Sequence, residues 1–112
     1  MKQCEDNDVA FLDDIREACV TIATRLGRRK FTEFVDNGEL RDSIVLQLIH
    51  IGEAANNLTD IARSRFPEVP WRAMTGLRNL LVHSYWTTDA LKLWETASKD
   101  IPVLLEALNK DA

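Results

Sequence analysis

The stretch Arg78-Asn79-Leu80-Leu81-Val82-His83-Ser84-Tyr85-Trp86 sets an arginine, an asparagine, a histidine and a tyrosine around a short apolar run. A helix that only packs against a core needs none of these four. An imidazole, with an ordinary pKa of about 6.5, gives or takes a proton near neutrality. A guanidinium offers fixed, forked donors that match the oxygens of a phosphate. Each residue also has an ordinary structural use: surface arginines are solvated or paired, a histidine near a helix end is stabilised by the dipole, and aromatic rings close helix corners. Spacing alone does not choose between these uses.

On an ideal helix each residue advances about 100°. Trp71, Met74, Leu77 and Leu81 then form one apolar stripe, Asn79 falls on the opposite side, and His83 follows it by one turn. Arg78 and Val82 form the adjoining row. The polar trio thus points away from the chain's own core, on a face that also shows a valine and looks built to be covered. Arg78 and His83 lie about 140° apart on a straight helix, so one rigid helix does not aim both at one atom. Three remedies exist: the arginine swings round, the helix distorts near its end, or a twofold dimer brings two copies of the trio into one cleft. The dimer is favoured here because it also accounts for Val82 and for a second apolar row at Val45 and Ile49.

The elements that must position these residues read as helices. Val9, Leu12, Ile15, Cys19, Ile22 and Leu26 predict a first helix over 5–26, stopped at Gly27. The basic cluster Arg25, Arg28, Arg29 and Lys30 follows, where positive charge complements the helix dipole. Residues 30–35 predict one short turn anchored by Phe31 and Phe34, followed by the turn signal Asp36-Asn37-Gly38. Leu40, Ile44, Leu48, Ile51, Ala55, Leu58 and Ala62 predict six turns of one long helix. Pro67 and Pro70 break the pattern, and Pro70 suits a helix start. Thr87 and Thr88 are the expected N-caps of a last helix carrying Leu91, Trp94, Ala97, Ile101, Leu104 and Leu108, which Pro102 should kink or restart after Asp100. No strand alternation or internal repeat is present. The expectation is one all-α domain over 1–112, a four- to five-helix up-and-down bundle.

Composition narrows the function. A net charge of -4 is wrong for a protein that coats nucleic acid indiscriminately. Residues 61–86, however, carry Arg63, Arg65, Arg72 and Arg78 against Glu68 alone, which leaves room for a locally basic site. Cys4 and Cys19 have neither a CxxC partner nor a nearby histidine, which fits a reducing cytoplasm. His50 and Glu53 offer two possible ligands, too few for a metal site. The polar, acidic start lacks an apolar signal region, no apolar run is long enough for a membrane, and the sequon Asn57-Leu58-Thr59 is set aside accordingly.

The motif Arg78-x4-His83-x-Tyr85 resembles that of HEPN-domain proteins, specifically the HepT-like ribonuclease toxins. Other pieces agree in order along nearly the whole chain: Arg41-Asp42, Ile51-Gly52-Glu53-Ala54, Pro70-Trp71, and Trp94 before Ile101-Pro102. Many relatives carry glycine before the tyrosine and a basic residue two positions after the arginine, where this sequence has Ser84 and Leu80. The resemblance implies an HEPN-like homodimer with its motif helices facing each other. It implies a metal-independent endoribonuclease, needing no cofactor, that acts as the toxin of a type VII-like toxin–antitoxin system. It also implies a partner, an MntA-like minimal nucleotidyltransferase antitoxin, that neutralises the toxin by attaching AMP to Tyr85.

Metal-free cleavage of RNA uses the 2′-hydroxyl as internal nucleophile, so protons must move and charge on phosphorus must be stabilised. His83 suits the first task and Arg78 the second, while Asn79 has the reach to orient the imidazole or hold a phosphate oxygen. Two other readings stay open. One is a non-catalytic HEPN dimer that serves as binding partner and substrate of the nucleotidyltransferase. The other is a scaffold in which Arg78 and Glu53 form a buried ion pair. Unpaired bases are the expected RNA target, on which Tyr85 and Trp86 can stack if packing does not claim them.

Overall fold

The computed structural model describes residues 6–110; Cys4 and position 5 of the predicted first helix lie outside them. Helix α1 (Asp6–Leu26) buries Leu12, Ile15, Cys19, Ile22 and Leu26. It ends as expected at Gly27, whose φ of 53° is the left-handed conformation that glycine adopts without a Cβ clash. Helix α2 (Phe31–Asp36) starts where the Glu33 carboxylate accepts from the Lys30 N–H at 3.0 Å. Phe31 and Phe34 pack on Trp94 with ring centroids 6.0 and 5.5 Å apart. Arg41 closes the other end of α2 by donating to the carbonyls of Phe34 and Val35.

Helix α3 (Gly38–Asn57) is capped by Asn37, whose Oδ1 accepts from the Leu40 N–H at 3.0 Å. The apolar stripe predicted one helix through Ala62, but the chain turns at Leu58 and restarts as α4 (Asp60–Ser64). The reason is polar. Buried Asp8 accepts from both the Thr59 N–H (2.9 Å) and the Thr59 hydroxyl (2.7 Å), and Thr59 Oγ1 accepts from the Ala62 N–H. Thr59 is thus a cap bonded to α1, which outweighs the helical periodicity of its neighbours.

Helix α5 (Trp71–Ser84) is tied to the α4 corner by Trp71 Nε1, which donates to the carbonyls of Arg63 and Phe66 at 3.1 Å each. One 3₁₀ turn (Tyr85–Thr87) follows. The cap of α6 (Ala90–Glu95) is Asp89, which accepts from the Leu91 N–H at 3.0 Å, and not the expected Thr87 or Thr88. Those two hydroxyls donate back to the Ser84 carbonyl instead. A turn of π-helix (Thr96–Asp100) leads into α7 (Ile101–Asn109), where Pro102, having no N–H, cannot continue the α-helical ladder to Ser98. The restart after Asp100 agrees with the sequence.

The long helices lie side by side in the order α7, α1, α3, α5. Contacts Asp8–Thr59 and Arg25–Ser43 make α1 and α3 antiparallel, and Asp42–Tyr85 and Glu53–Arg78 do the same for α3 and α5. The fold is all-α, with no strand among the described residues. No helix of the described residues is long and apolar enough to cross a membrane.

The two apolar faces of α3 are therefore covered within one chain, one by α1 and one by α5. Val45 is buried and Ile49 packs partly buried on the core, so neither offers the free second row expected for a partner subunit. Leu46, between them, is 51% exposed.

The tightest point of the bundle is Gly52. A Cβ there would lie 2.2 Å from Arg78 Cβ and 3.0 Å from the Met74 carbonyl oxygen, so α5 crosses α3 on bare backbone. Gly52→Ala is expected to cost about 1–3 kcal/mol through overpacking. At Gly76 nothing lies within 4 Å of an added Cβ, and Gly76→Ala should stabilise α5 by up to about 1 kcal/mol. Thermal unfolding of the two variants reads opposite shifts, and an unchanged melting temperature for Gly52→Ala would contradict the contact.

Candidate functional site

The close approach at Gly52 puts Arg78 within reach of the next residue on α3, Glu53. Arg78 donates to Glu53 Oε1 through Nε and to Asn79 Oδ1 through Nη1 at 2.8 Å, and its Nη2 makes the ion-pair contact with the same Glu53 oxygen. Two of its five N–H groups are thus hydrogen-bonded, which leaves N–H groups on both terminal nitrogens to meet an anion. The side chains of Arg78 and Glu53 are 31% and 44% exposed. An ion pair this open to water contributes between zero and about 1 kcal/mol, so the buried-pair scaffold finds little energetic basis. What the pair does is hold the guanidinium in one orientation.

Asn79 spends its carbonyl oxygen on Arg78, its neighbour, and no bond joins it to His83. His83 is exposed and, among the described residues, has no hydrogen-bond or ion-pair partner. Helix α5 stays regular through His83, and Ser84, at φ -141° and ψ 30°, has already left helical geometry where the 3₁₀ turn begins. The geometric separation of Arg78 and His83 on one helix therefore stands. Helix distortion is not used to remove it, and the arginine is held by Glu53.

Tyr85 lies partly buried against the core, and its hydroxyl donates to Asp42 Oδ1 in the second turn of α3. The sequence shows no role for Asp42, because a pairing across 43 positions leaves no periodic signal; the Arg41-Asp42 dipeptide at the helix start is its only trace. The hydrogen bond to Asp42 is the main reason that the Tyr85 phenol titrates above its ordinary value, burial and the Asp42 charge adding to it and Arg41 opposing. In the stretches of α3 and α5 between the two ties, Leu46 and Val82 are 51% and 47% exposed.

Other sequence candidates sit elsewhere. Arg63 braces the α3–α4 corner by donating to the Ala55 carbonyl and to Asp60. Burial pushes the Cys19 thiol up to about 12, so it stays protonated and inert. Leu80 borders an apolar groove between α5 and α7 that also includes Met74, Leu77 and Leu104.

Because Tyr85 is the chain's single tyrosine, its ionisation can be followed directly by ultraviolet absorbance. Asp42→Asn should lower its pKa toward the ordinary value of about 10. A phenol raised in the folded state adds stability that is present below about pH 10 and is lost as pH rises through the raised value. That alkaline step should shrink in the variant. Identical titrations of the two proteins would show that Asp42 does not govern the phenol.

The family described as ribonuclease HepT-like matches residues 15–110 of the chain. A putative RNase of Methanocaldococcus jannaschii is 37% identical over 93 residues, covering 83% of this chain and 85% of that one. The probable ribonuclease HepT of Thermococcus cleftensis is 34% identical over 94 residues, 84% of this chain and 86% of that one. A putative RNase of Caldanaerobacter subterraneus is 34% identical over 94 residues, 84% of each. No solved structure matches the chain at a significant level.

Proposed function

The chain belongs to the HepT-like ribonuclease family, and from that premise we propose that it is a metal-independent endoribonuclease whose cleft is completed by a second copy of itself. The observation that carries this reading is the division of labour along α5. Arg78 is held by Glu53 and Asn79 with donors to spare, while His83 stands free on a regular helix, turned about 140° away. Of the three ways to unite them, only a twofold partner needs no change in the chain. The exposed Leu46 and Val82 supply an apolar face for that partner beside the polar groups.

In the assembled cleft the 2′-hydroxyl of one nucleotide attacks the adjacent phosphorus, and its proton passes to one His83. The bond from phosphorus to the 5′-oxygen breaks, and the leaving oxygen takes a proton from the second His83. The spare N–H groups of Arg78 meet the phosphate oxygens on which charge builds. Within this reading the protein is the toxin of a toxin–antitoxin pair in the cytoplasm, and Tyr85 is the AMP acceptor for an MntA-like nucleotidyltransferase. The Asp42 carboxylate on the Tyr85 hydroxyl supports the acceptor role, since it can take the phenolic proton as oxygen attacks the α-phosphorus of ATP and pyrophosphate leaves. An adenylate at the cleft mouth then blocks RNA by bulk and charge.

Cleavage of RNA in EDTA, followed with purified protein, tests the nuclease. His83→Ala should slow it by about 10²- to 10⁴-fold, the usual weight of a general acid–base group. Equal rates would remove His83 from the mechanism, and sedimentation as a monomer at assay concentration would remove the shared cleft. Incubation with the cognate transferase and ATP should add the mass of AMP to the parent and not to Tyr85→Phe.

A further inference from the structure

Trp86, for which the sequence leaves both packing at a helix corner and stacking on a base open, is 91% exposed, so packing does not claim it. The other two tryptophans, Trp71 and Trp94, pack partly buried on the core. An indole left this open to water contributes little burial to folding, so its position asks for another explanation.

The turn that carries it is firmly held. The Tyr85 hydroxyl is bonded to Asp42, the Thr87 and Thr88 hydroxyls each reach the Ser84 carbonyl at 3.0 Å, and the Thr88 N–H reaches the Tyr85 carbonyl at 3.1 Å. The Tyr85 ring braces the indole from one side, with centroids 5.4 Å apart and planes tilted by 51°. The ring is thus presented outward from an ordered support three residues after His83, with little left to immobilise on binding.

We propose that Trp86 is a stacking platform for an unpaired RNA base next to the nucleotide cut at His83. This rests on the ribonuclease reading and extends it to how the substrate is held. Two features favour a base over a second protein chain. First, the residues that follow Trp86 are polar: Thr87 and Asp89 are exposed, so on that side the turn adds no apolar surface to the indole and the Tyr85 ring, as a protein interface would need. Second, the same end of the bundle carries cations for the phosphate backbone. Arg25 at the end of α1 bonds Ser43, the residue after Asp42, and exposed Arg28 and Lys30 follow it. These cations lie across α3 from the α5 turn, so a strand running over this end of the bundle meets both, and aromatic faces combined with positive charge are how proteins hold single strands without reading sequence.

The test uses the full chain and a fluorescent 2′-O-methyl oligoribonucleotide, which lacks the nucleophile and cannot be cut. Trp86→Leu should weaken binding roughly ten- to a hundredfold, the effect of losing one stacked base, while Trp86→Phe, which keeps an aromatic face, stays within a few-fold of the parent. One abasic position in the oligonucleotide should weaken the parent and leave Trp86→Leu unaffected. Sedimentation of Trp86→Leu should match the parent. Binding by Trp86→Leu equal to the parent overturns the platform and leaves the ribonuclease reading intact. Loss of the parent's oligomeric state in Trp86→Leu assigns the indole to a subunit contact and also overturns it. A parent that fails to bind the oligonucleotide overturns the platform, while RNA cleavage in EDTA decides the ribonuclease reading separately.

Discussion

The crossing of α3 and α5 at Gly52 is the constraint on which the site depends. With no side chain at that position, Arg78 Cβ rests directly on the α3 backbone, and its guanidinium falls beside Glu53. A larger residue would push α5 outward and take the arginine with it. The stability of this crossing comes from buried apolar groups, Ile44, Leu48, Ile51 and Leu81 among them, because the ion pair is too exposed to add much. Glu53 therefore acts on direction: it converts a long, mobile side chain into a fork with a set orientation.

Helices and their ends were legible wherever a short-range rule decided them. The 3.6-residue stripes located α1, α3, α5 and α7, Gly27 and Asn37 marked ends, and Pro102 marked the restart. Two departures arose where distant residues intervened, and a third within a single turn. Thr59 looked like part of a helix until Asp8, 51 positions away, fixed it as a cap. Val45 looked like a free apolar row because a sequence shows that a residue is apolar but not which neighbour covers it, and α1 and α5 between them leave only Leu46 in water. Thr87 and Thr88 offered caps on composition, but their hydroxyls serve the turn behind them and Asp89 takes the role.

The candidate site was legible as a set of residue types and not as an arrangement. Arg78, Asn79, His83 and Tyr85 were singled out by chemistry and by an ordered likeness along the chain. Their partners were not, since Glu53 and Asp42 meet them only after α3 and α5 pair in antiparallel fashion. Asn79 shows the limit well. Helical spacing placed it one turn from His83, yet its oxygen turns to the adjacent arginine, a stronger donor at closer range. The exposure of Trp86 had no sequence signal at all.

The hydrogen bond between Tyr85 and Asp42 also fastens the end of α5 to the beginning of α3. Any group attached at the phenolic oxygen takes away the proton that makes this bond, and leaves a carboxylate facing whatever replaced it. Chemistry at one hydroxyl is thereby felt as a loosened joint between the two helices that carry Glu53 and Arg78, so occupancy and architecture at this corner change together.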